Sequence, residues 1–186
     1  MHRKAYTDEQ LASHLKEGDT QALSLIYERY KNGLFLFLVR LLSDADAAED
    51  ILQETFLKVL QERLRLKNPA ALKSWIYTIA RNGAFACLIR RKNIRSLNDD
   101  DENVFIAVPS ASDYETNERT VILEKMLDLL LPQYKEVLVL REYESMSYEE
   151  IAIVTGTTVS SVKSRLFKAR QGLIKKIGRY SEDLKP

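Results

Sequence analysis

Apolar side chains recur at spacings of three and four residues along nearly the whole chain, which is the period of an amphipathic α-helix. In the first half this period predicts a short helix carrying Leu11 and Leu15. Three longer helices are expected over about 21–42, 44–63 and 70–92. The pattern therefore predicts an all-α fold for this part of the chain.

Short polar residues and Pro mark the expected helix ends. Thr7 begins a cap for the first helix, and Asp19 separates that helix from the second. Ser43, with Asp46 three residues later, predicts a capping box at the start of the third helix. The pair Asn68–Pro69 breaks the chain before the fourth helix.

The fourth predicted helix has an apolar stripe with one unusual member. Gly83 costs about 1 kcal/mol relative to Ala inside a helix, and a close helix crossing would explain its presence. Trp75 shares the stripe and is expected to pack in the core, whereas Tyr77 lies off it. The stripe consists of Leu72, Trp75, Ile76, Ile79, Gly83 and Cys87.

The helical period is lost from about 93 to 113 and returns near Tyr114. The interval carries an acidic run followed by Pro and Ser residues, a composition typical of a flexible linker. Helices are expected beyond it over about 114–131, 132–143, 147–154 and 158–178. The chain is therefore predicted to form two small helical domains joined by a flexible acidic linker.

Composition supports this fold class and excludes several others. Of the 186 residues, 45% are hydrophobic, which is enough to bury a core. The six Gly and four Pro are too few for a turn-rich β-sandwich or barrel. A single cysteine, Cys87, excludes an internal disulfide framework and argues against a cysteine-based metal site.

Other classes of protein lack support in the sequence. No uninterrupted apolar run approaches the ~20 residues that cross a bilayer, and no apolar segment follows the basic start as in a signal peptide. His2 and His14 have no metal-ligand partners at useful spacing, and neither a Gly-rich phosphate loop nor a positioned catalytic triad occurs. We expect a cytoplasmic protein without membrane insertion, cofactor, metal or catalytic residues.

The charges are sorted into blocks although the net charge is only +1. Between Glu62 and Asp99 there are nine bases and no acid, and between Glu150 and Glu182 there are seven bases and no acid. The segment 99–118 holds seven acids and no base. Two basic blocks around an acidic one indicate either two polyanion-binding surfaces on a tether or ordinary solvated helix faces.

The last two predicted helices have the spacing of a helix-turn-helix. Ser147 and Glu150 form a capping box, and Ala152 followed by Gly156 allows a close crossing and a left-handed turn. The final helix has the apolar positions Val159, Val162, Leu166, Ala169 and Leu173, and its other face carries bases and short polar groups that suit a DNA groove. An ordinary amphipathic helical hairpin is the alternative.

Two motifs resemble those of the sigma-70 family of RNA polymerase sigma factors, in its extracytoplasmic function (ECF) group. Residues 147–170 resemble region 4 of the family, with the motif SYEEIA, then Gly156 and VKSRLFKAR. In the first half, AEDILQETFL at 48–57 resembles the segment that binds the polymerase clamp, and WIYTIARN at 75–82 resembles the −10 element helix of region 2. The resemblance covers nearly the whole chain. The family's central region 3 domain is missing, as expected for the ECF group.

The resemblance implies a sigma factor that binds core RNA polymerase through the β′ clamp coiled coil and the β flap, recognises promoter DNA and has an anti-sigma partner. On the third helix, one stripe of Leu52, Phe56 and Val59 is expected to pack inward. A second stripe is by itself either a solvated face or a protein-docking face, and the resemblance implies docking on the clamp. Its members are Asp50, Gln53, Glu54 and Leu57.

The resemblance also assigns DNA-contacting residues. Melted −10 DNA is expected at Lys67, Lys73, Tyr77, Arg81, Asn82, Arg90 and Arg91. The −35 element is expected at Ser160, Ser161, Lys163, Ser164, Phe167, Lys168 and Arg170. The loop 66–71 departs from the Gly- and aromatic-containing loops of many relatives, which leaves the preferred −10 base open.

These interpretations divide the chain into region 2 over 1–95, an acidic linker over 96–113, region 4 over 114–180 and a tail over 181–186. The sequence also leaves two rival functions open. One is a transcription regulator with a sensory N-terminal domain, against which the clamp-like motif argues. The other is an anti-sigma-like adaptor that uses the same helices only for protein contacts.

Overall fold

The computed structural model describes residues 6–96 and 124–183, with side chains placed over 6–94 and 124–177. All of its regular elements in these ranges are helical, in agreement with the all-α prediction. The first half contains α1 (Asp8–Lys16), α2 (Thr20–Leu42), α3 (Ala45–Gln61) and α4 (Leu72–Ser96), with short 3₁₀ turns at Arg63–Arg65 and Pro69–Ala71. The predicted linker falls almost entirely outside the described residues.

The four N-terminal helices pack into one bundle in which α2 lies against α1, α3 and α4. Their apolar stripes meet in a core that includes the fully buried Leu34, Phe37, Leu72 and Ile76. Trp75 is half-buried and packs against this core, as expected. The bundle therefore fixes which sides of α3 and α4 face outward.

Side-chain caps lie at the N-terminal ends of these helices, and one of the predicted caps is wrong. Thr7 forms the expected capping box with Gln10, and Asp19 caps α2 by accepting from the backbone N–H of Gln21 at 2.8 Å. Ser43 does not cap α3, because it takes a left-handed conformation (φ 51°) that ends α2. Asp44 is the cap instead, and its carboxylate accepts from the backbone N–H of Ala47 at 2.9 Å.

Gly83 lies at a close crossing of α3 and α4, as the sequence predicted. A Cβ atom at this position would lie 3.0 Å from Cγ2 of Ile51, on α3. The missing side chain therefore lets the two helices approach, which offsets the low helix propensity of Gly.

The C-terminal half consists of the described helical residues 124–128 (α5), α6 (Pro132–Glu142), α7 (Tyr148–Thr155) and α8 (Val159–Asp183). Ser147 and Glu150 form the predicted capping box at the start of α7. Gly156 ends α7 in the left-handed conformation with φ 62°, which Gly adopts without strain. The helix-turn-helix is thus present in the predicted place, and α8 extends beyond its expected end at 178.

The two halves are packed against each other. Helix α6 packs against α2, and helix α7 packs against α4. Asp128 accepts hydrogen bonds from the Ser43 hydroxyl at 2.5 Å and from the Lys135 ammonium at 2.6 Å. The guanidinium of Arg40 lies 3.9 Å from the ring centroid of Tyr143. None of the helices in the described ranges has the length and apolar character needed to span a membrane.

Candidate nucleic-acid and protein interfaces

The outer face of α3 is exposed, as the spacing predicted. Leu52, Phe56 and Val59 are buried against the bundle. Leu57 projects from the opposite side with 59% of its surface exposed. The other members of this outer stripe are also exposed: Asp50, Gln53 and Glu54, whose carboxylate pairs with Lys58 at 2.7 Å. The stripe therefore surrounds one apolar side chain with polar groups.

The outer face of α8 has the same character with the opposite charge. Val162, Leu166 and Ala169 are buried against the C-terminal core, and Phe167 is 65% exposed on the other side. Ser160, Lys163, Ser164, Lys168 and Arg170 are exposed around it, and Ser161 is half-buried. Arg170 donates to the Glu142 carboxylate at 2.7 Å, which raises the pKa of Arg170.

An aromatic ring supports the start of the α8 face. The Lys163 ammonium lies 5.7 Å from the ring centroid of Tyr148, and the Arg141 guanidinium lies 4.8 Å from the same ring. Cation–π contacts of this kind favour a defined position of the cation over the aromatic face. Tyr148, at the start of α7, therefore helps to orient Lys163, a role that its position in the capping motif did not reveal.

Apart from Tyr77, the predicted −10 residues fall into two groups in the structure. Lys67, Asn82 and Arg90 are exposed. Lys73, Arg81 and Arg91 are engaged by acidic residues or by a backbone carbonyl. Arg91 donates to Asp44 at 2.6 Å within the N-terminal half, whereas Lys73 and Arg81 bind groups of the C-terminal half.

Tyr77 corrects the sequence interpretation, because it is buried with only 1% of its surface exposed. Its ring packs against Phe37, with centroids 5.5 Å apart, and its hydroxyl donates to the Glu144 carboxylate. Burial raises the pKa of the Tyr77 phenol, and the neighbouring Glu144 adds to the effect. The apolar stripe of α4 did not predict the burial of Tyr77, because α2 and the C-terminal half cover a second side of that helix.

Arg81 joins the two halves through a buried carboxylate on α6. Its Nε donates to Glu136 at 2.8 Å, and Arg165 of α8 approaches the same carboxylate at 3.5 Å. The Glu136 side chain is fully buried. Burial raises the pKa of Glu136, while Arg81 and Arg165 oppose that rise by favouring its charged form.

Further polar contacts join the two halves. Lys73 donates to the backbone carbonyl of Glu144 at 2.6 Å. Lys135 is buried and donates to the Ser43 hydroxyl oxygen of the N-terminal half at 3.1 Å and to Asp128 of its own half at 2.6 Å. Burial lowers the pKa of its ammonium despite the Asp128 partner. No sequence motif pointed to Glu136 or Glu144. The spacing of Glu136 from Val139 and Leu140 by three and four residues marks it as inward-facing and is the signal that was available.

No group of His, Cys, Asp and Glu side chains in the described residues is arranged to hold a metal ion. Cys87 is a buried free thiol. The site chemistry of the described residues consists of charged and aromatic contact surfaces.

Comparison with known proteins matches both halves to one family. The sigma-70 region 2 model covers residues 26–94, and the sigma-70 region 4 model covers residues 120–173. The RNA polymerase sigma-H factor of Pseudomonas aeruginosa is 30% identical over 178 residues, which are 90% of this chain and 92% of that protein. The ECF RNA polymerase sigma-E factor of Haemophilus influenzae is 31% identical over 182 residues, 92% of this chain and 95% of that protein.

A solved structure has the same fold. The sigma factor RpoE of Bartonella quintana, in complex with the anti-sigma factor NepR, superposes with a TM-score of 0.72 at 24% identity. The match covers 86% of this chain and 98% of that one. At this identity the likeness extends to the fold alone.

A helical protein with an exposed helix-turn-helix face and a second basic helix belongs to the class of DNA-binding transcription proteins. Within that class, the two family matches and the relatives show that this chain belongs to the sigma-70 family, in its ECF group. It is a transcription initiation factor that binds core RNA polymerase and directs it to promoters by recognising −35 and −10 elements. The two rival functions are thereby excluded.

Proposed function

We propose that this sigma factor binds through two outward helix faces, one on α3 for the polymerase and one on α8 for the −35 element. The observation that carries the proposal is the pair of large apolar side chains at their centres, Leu57 at 59% exposure and Phe167 at 65% exposure. The charged groups around Leu57 are mainly acidic, and those around Phe167 are basic. An apolar centre with a polar rim is the usual arrangement of a binding surface.

The α3 face docks on the β′ clamp coiled coil. Leu57 fills an apolar contact, and the exposed carboxylates of Asp50 and Glu54 accept charge-assisted hydrogen bonds from basic partner groups. Gln53 adds an amide that both donates and accepts. The β flap is the second polymerase contact that we propose, through region 4.

The α8 face enters the major groove of the −35 element. Lys163 and Lys168 donate to guanine edges or to phosphates, Ser164 adapts to either, and Phe167 packs on a thymine methyl group or a sugar. Arg170 lies further along the exposed side and contacts phosphate in exchange for Glu142. The remaining members of this set are Ser160 and Ser161.

Region 2 handles the melted −10 strand with α4 and the loop before it. Asn82 reads an extruded base through its amide, and exposed Lys67 and Arg90 follow the backbone. Lys73, Arg81 and Arg91 contribute positive charge once their present partners release them. Tyr77 is not part of this set, because its ring lies in the core.

The chain contributes recognition and no catalysis, since the phosphoryl transfer belongs to the polymerase. It acts in the cytoplasm, where polymerase and DNA occur together. An anti-sigma factor is a further partner that we propose, because the Bartonella quintana sigma factor was solved in complex with one. The functional units are 1–95 and 114–180, joined by the acidic segment.

A binding measurement with purified core polymerase tests the α3 assignment. Leu57→Glu places a charge in the proposed apolar contact and should weaken binding by about 30- to 100-fold, as loss of a central interface residue typically costs about 2–3 kcal/mol. The fold should survive because Leu57 packs little against the bundle.

Ile89→Glu is the matched control, since Ile89 is an equally exposed apolar residue (60%) on α4 rather than α3. It should bind core polymerase as the parent chain does. Equal affinities of the Leu57→Glu and parent chains would remove the α3 face from the polymerase interface.

A further inference from the structure

Lys163 lies in the second turn of α8, on the exposed face assigned to the −35 element. The proposed function gives its ammonium two kinds of acceptor, a base edge or a phosphate oxygen. The ammonium lies 5.7 Å from the ring centroid of Tyr148, which is within the range of a cation–π contact. The charged end of this exposed lysine therefore has a defined neighbour on another helix.

The Tyr148 ring is held in place by its surroundings. Tyr148 is the first residue of α7, and the capping box around it joins the backbone N–H of Ser147 to the Glu150 carboxylate at 2.7 Å. The ring is half-buried and packs against the hydrophobic core. Arg141, in the last turn of α6, has its guanidinium 4.8 Å from the same ring centroid. The ring next to Lys163 is thus fixed by groups of α6 and α7.

The two cations at this ring differ in their freedom to move. Arg141 donates from Nη1 to the backbone carbonyl of Met146 at 2.7 Å, and Met146 is fully buried. Lys163 is exposed and lies on the face of α8 that points away from the C-terminal core. Arg141 is therefore an anchor for the ring, and Lys163 is the cation that can reach DNA from it.

The ring reduces the entropy that Lys163 loses when it binds. A lysine side chain has many rotamers, and ordering it at an interface is among the largest side-chain entropy costs. A cation–π contact restricts the ammonium before DNA arrives, so that less freedom is lost on binding. Preorganisation of this kind strengthens contacts that demand one particular geometry.

The two kinds of acceptor differ in how strict their geometry is. Phosphate oxygens recur along both strands, and a flexible ammonium reaches one of them from many positions without reading sequence. The O6 and N7 acceptors of a guanine lie at one place in the major groove. A lysine held next to a fixed ring is therefore suited to a base edge more than to a phosphate.

We propose that Tyr148 is a positioning residue for −35 recognition, whose ring holds Lys163 for hydrogen bonds to the acceptor edge of a guanine. The proposal rests on the proposed function, because it takes the α8 face as the contact to the −35 element. It adds a residue of α7, outside the recognition helix, to those that determine the preferred base. The role belongs to the aromatic ring and not to the phenol hydroxyl.

The test compares variants of the full chain in complex with core polymerase. Each complex selects fragments from a random duplex library, and sequencing of the bound fragments gives its −35 motif. Tyr148→Leu and Tyr148→Met both remove the ring, Tyr148→Phe keeps the ring without the hydroxyl, and Lys163→Ala removes the ammonium. Tyr134→Leu is the matched control, because Tyr134 of α6 is also half-buried and packed against the core. Circular dichroism verifies that each variant remains helical.

Lys163→Ala should remove the preference for guanine at one position of the −35 motif. The two ring-free variants should weaken that same preference by about 2- to 5-fold, which corresponds to about 0.5–1 kcal/mol, and leave the other positions as in the parent. Tyr148→Phe and Tyr134→Leu should keep the parent motif. Tyr148→Leu combined with Lys163→Ala should give the motif of Lys163→Ala alone, because the two residues act through one contact.

An unchanged guanine preference in the ring-free variants, beside a lost one in Lys163→Ala, would overturn the role of Tyr148 and leave the α8 assignment intact. A loss in Tyr148→Phe as large as in Tyr148→Leu would also overturn it, since the ring would not be the part that acts. If Lys163→Ala leaves every position of the motif unchanged, Lys163 does not contact a base. That result contradicts its assignment in the proposed function and this inference together.

Discussion

Helices α4 and α8 are both amphipathic and basic, and both carry residues assigned to promoter DNA, yet their outward sides differ in access. Lys163, Ser164 and Phe167 on α8 are exposed, whereas on α4 Arg81 is paired with a buried Glu136 and Tyr77 is enclosed. The charge pattern of the sequence is similar for the two helices. Access is decided by what packs against each helix from elsewhere in the chain.

The comparison extends to single arginines. Arg81 is bound by a residue of the other half, and Arg91, on the same helix, is bound by Asp44 of its own half. Separation of the halves would release Arg81 and leave Arg91 in place. A basic residue on a predicted DNA face therefore has one of three states in this molecule: exposed, held within its domain, or held across domains.

The largest effect that the comparison predicts is on duplex binding by the open helix α8. Lys168→Glu should weaken binding of the full chain to duplex DNA by about 10- to 100-fold, because it removes a phosphate or base contact and adds a repelling charge. It should also lower the salt dependence of binding. An electrophoretic mobility titration at several salt concentrations measures both quantities.

Lys125→Glu provides the same charge change on an exposed lysine of α5 in the same half. It should have a far smaller effect on duplex affinity. If the two substitutions weaken duplex binding equally, the exposed side of α8 is not the DNA-binding surface. The proposed contrast in access between α8 and α4 is then wrong.

A second prediction concerns the packing of α4 against α3, which is separate from the contacts of α4 with the C-terminal half. Gly83→Leu should lower the free energy of unfolding by about 1–3 kcal/mol, because a side chain at this crossing overpacks against Ile51. Chemical denaturation measures the change. Ile51→Ala in the Gly83→Leu chain should recover part of the loss, and a strictly additive double variant would contradict the close crossing.

The smallest predicted effect concerns Asp44, which holds Arg91 and caps α3. Asp44→Ala should cost about 1 kcal/mol at neutral pH. The backbone N–H of Ala47, helped by Arg91, lowers the pKa of Asp44 below its ordinary 3.8. A lowered carboxyl pKa stabilises the fold above pH 3.8, so the difference between parent and variant should shrink as the pH falls from 3.8 through the folded-state pKa.

Asp46→Ala is the control for that prediction, because Asp46 is an exposed acid in the first turn of the same helix. Its loss should cost only a few tenths of a kcal/mol through the helix dipole. A larger loss from Asp46→Ala than from Asp44→Ala would restore the capping box that the sequence suggested at Ser43.

Local signals predicted most of the helices and their ends. The box at Ser147, the turn at Gly156 and the close crossing at Gly83 depend on residues near in sequence or on one helix stripe, and all three are confirmed. The cap at Ser43 was misassigned because Ser43 and Asp44 are both good cap residues. Only the left-handed backbone of Ser43 separates them.

The interface between the halves was beyond the reach of these signals. Periodicity shows that Tyr77 lies off one stripe, but it contains no information about a second surface formed by α2 and the loop at Glu144. The outer faces of α3 and α8 were predictable because each helix has one buried side. Their roles in binding remain predictions that the experiments above address.

The central claim is that one chain recognises two promoter elements with α4 and α8 once core polymerase has bound it. The most direct measurement is initiation by core polymerase and the purified chain on fragmented genomic DNA, with the 5′ ends of the transcripts sequenced. We predict a set of start sites that share a −35 and a −10 motif, with Lys163→Ala altering only the first motif and Asn82→Ala only the second. Start sites identical to those of core polymerase alone, or motifs that neither substitution alters, would contradict it.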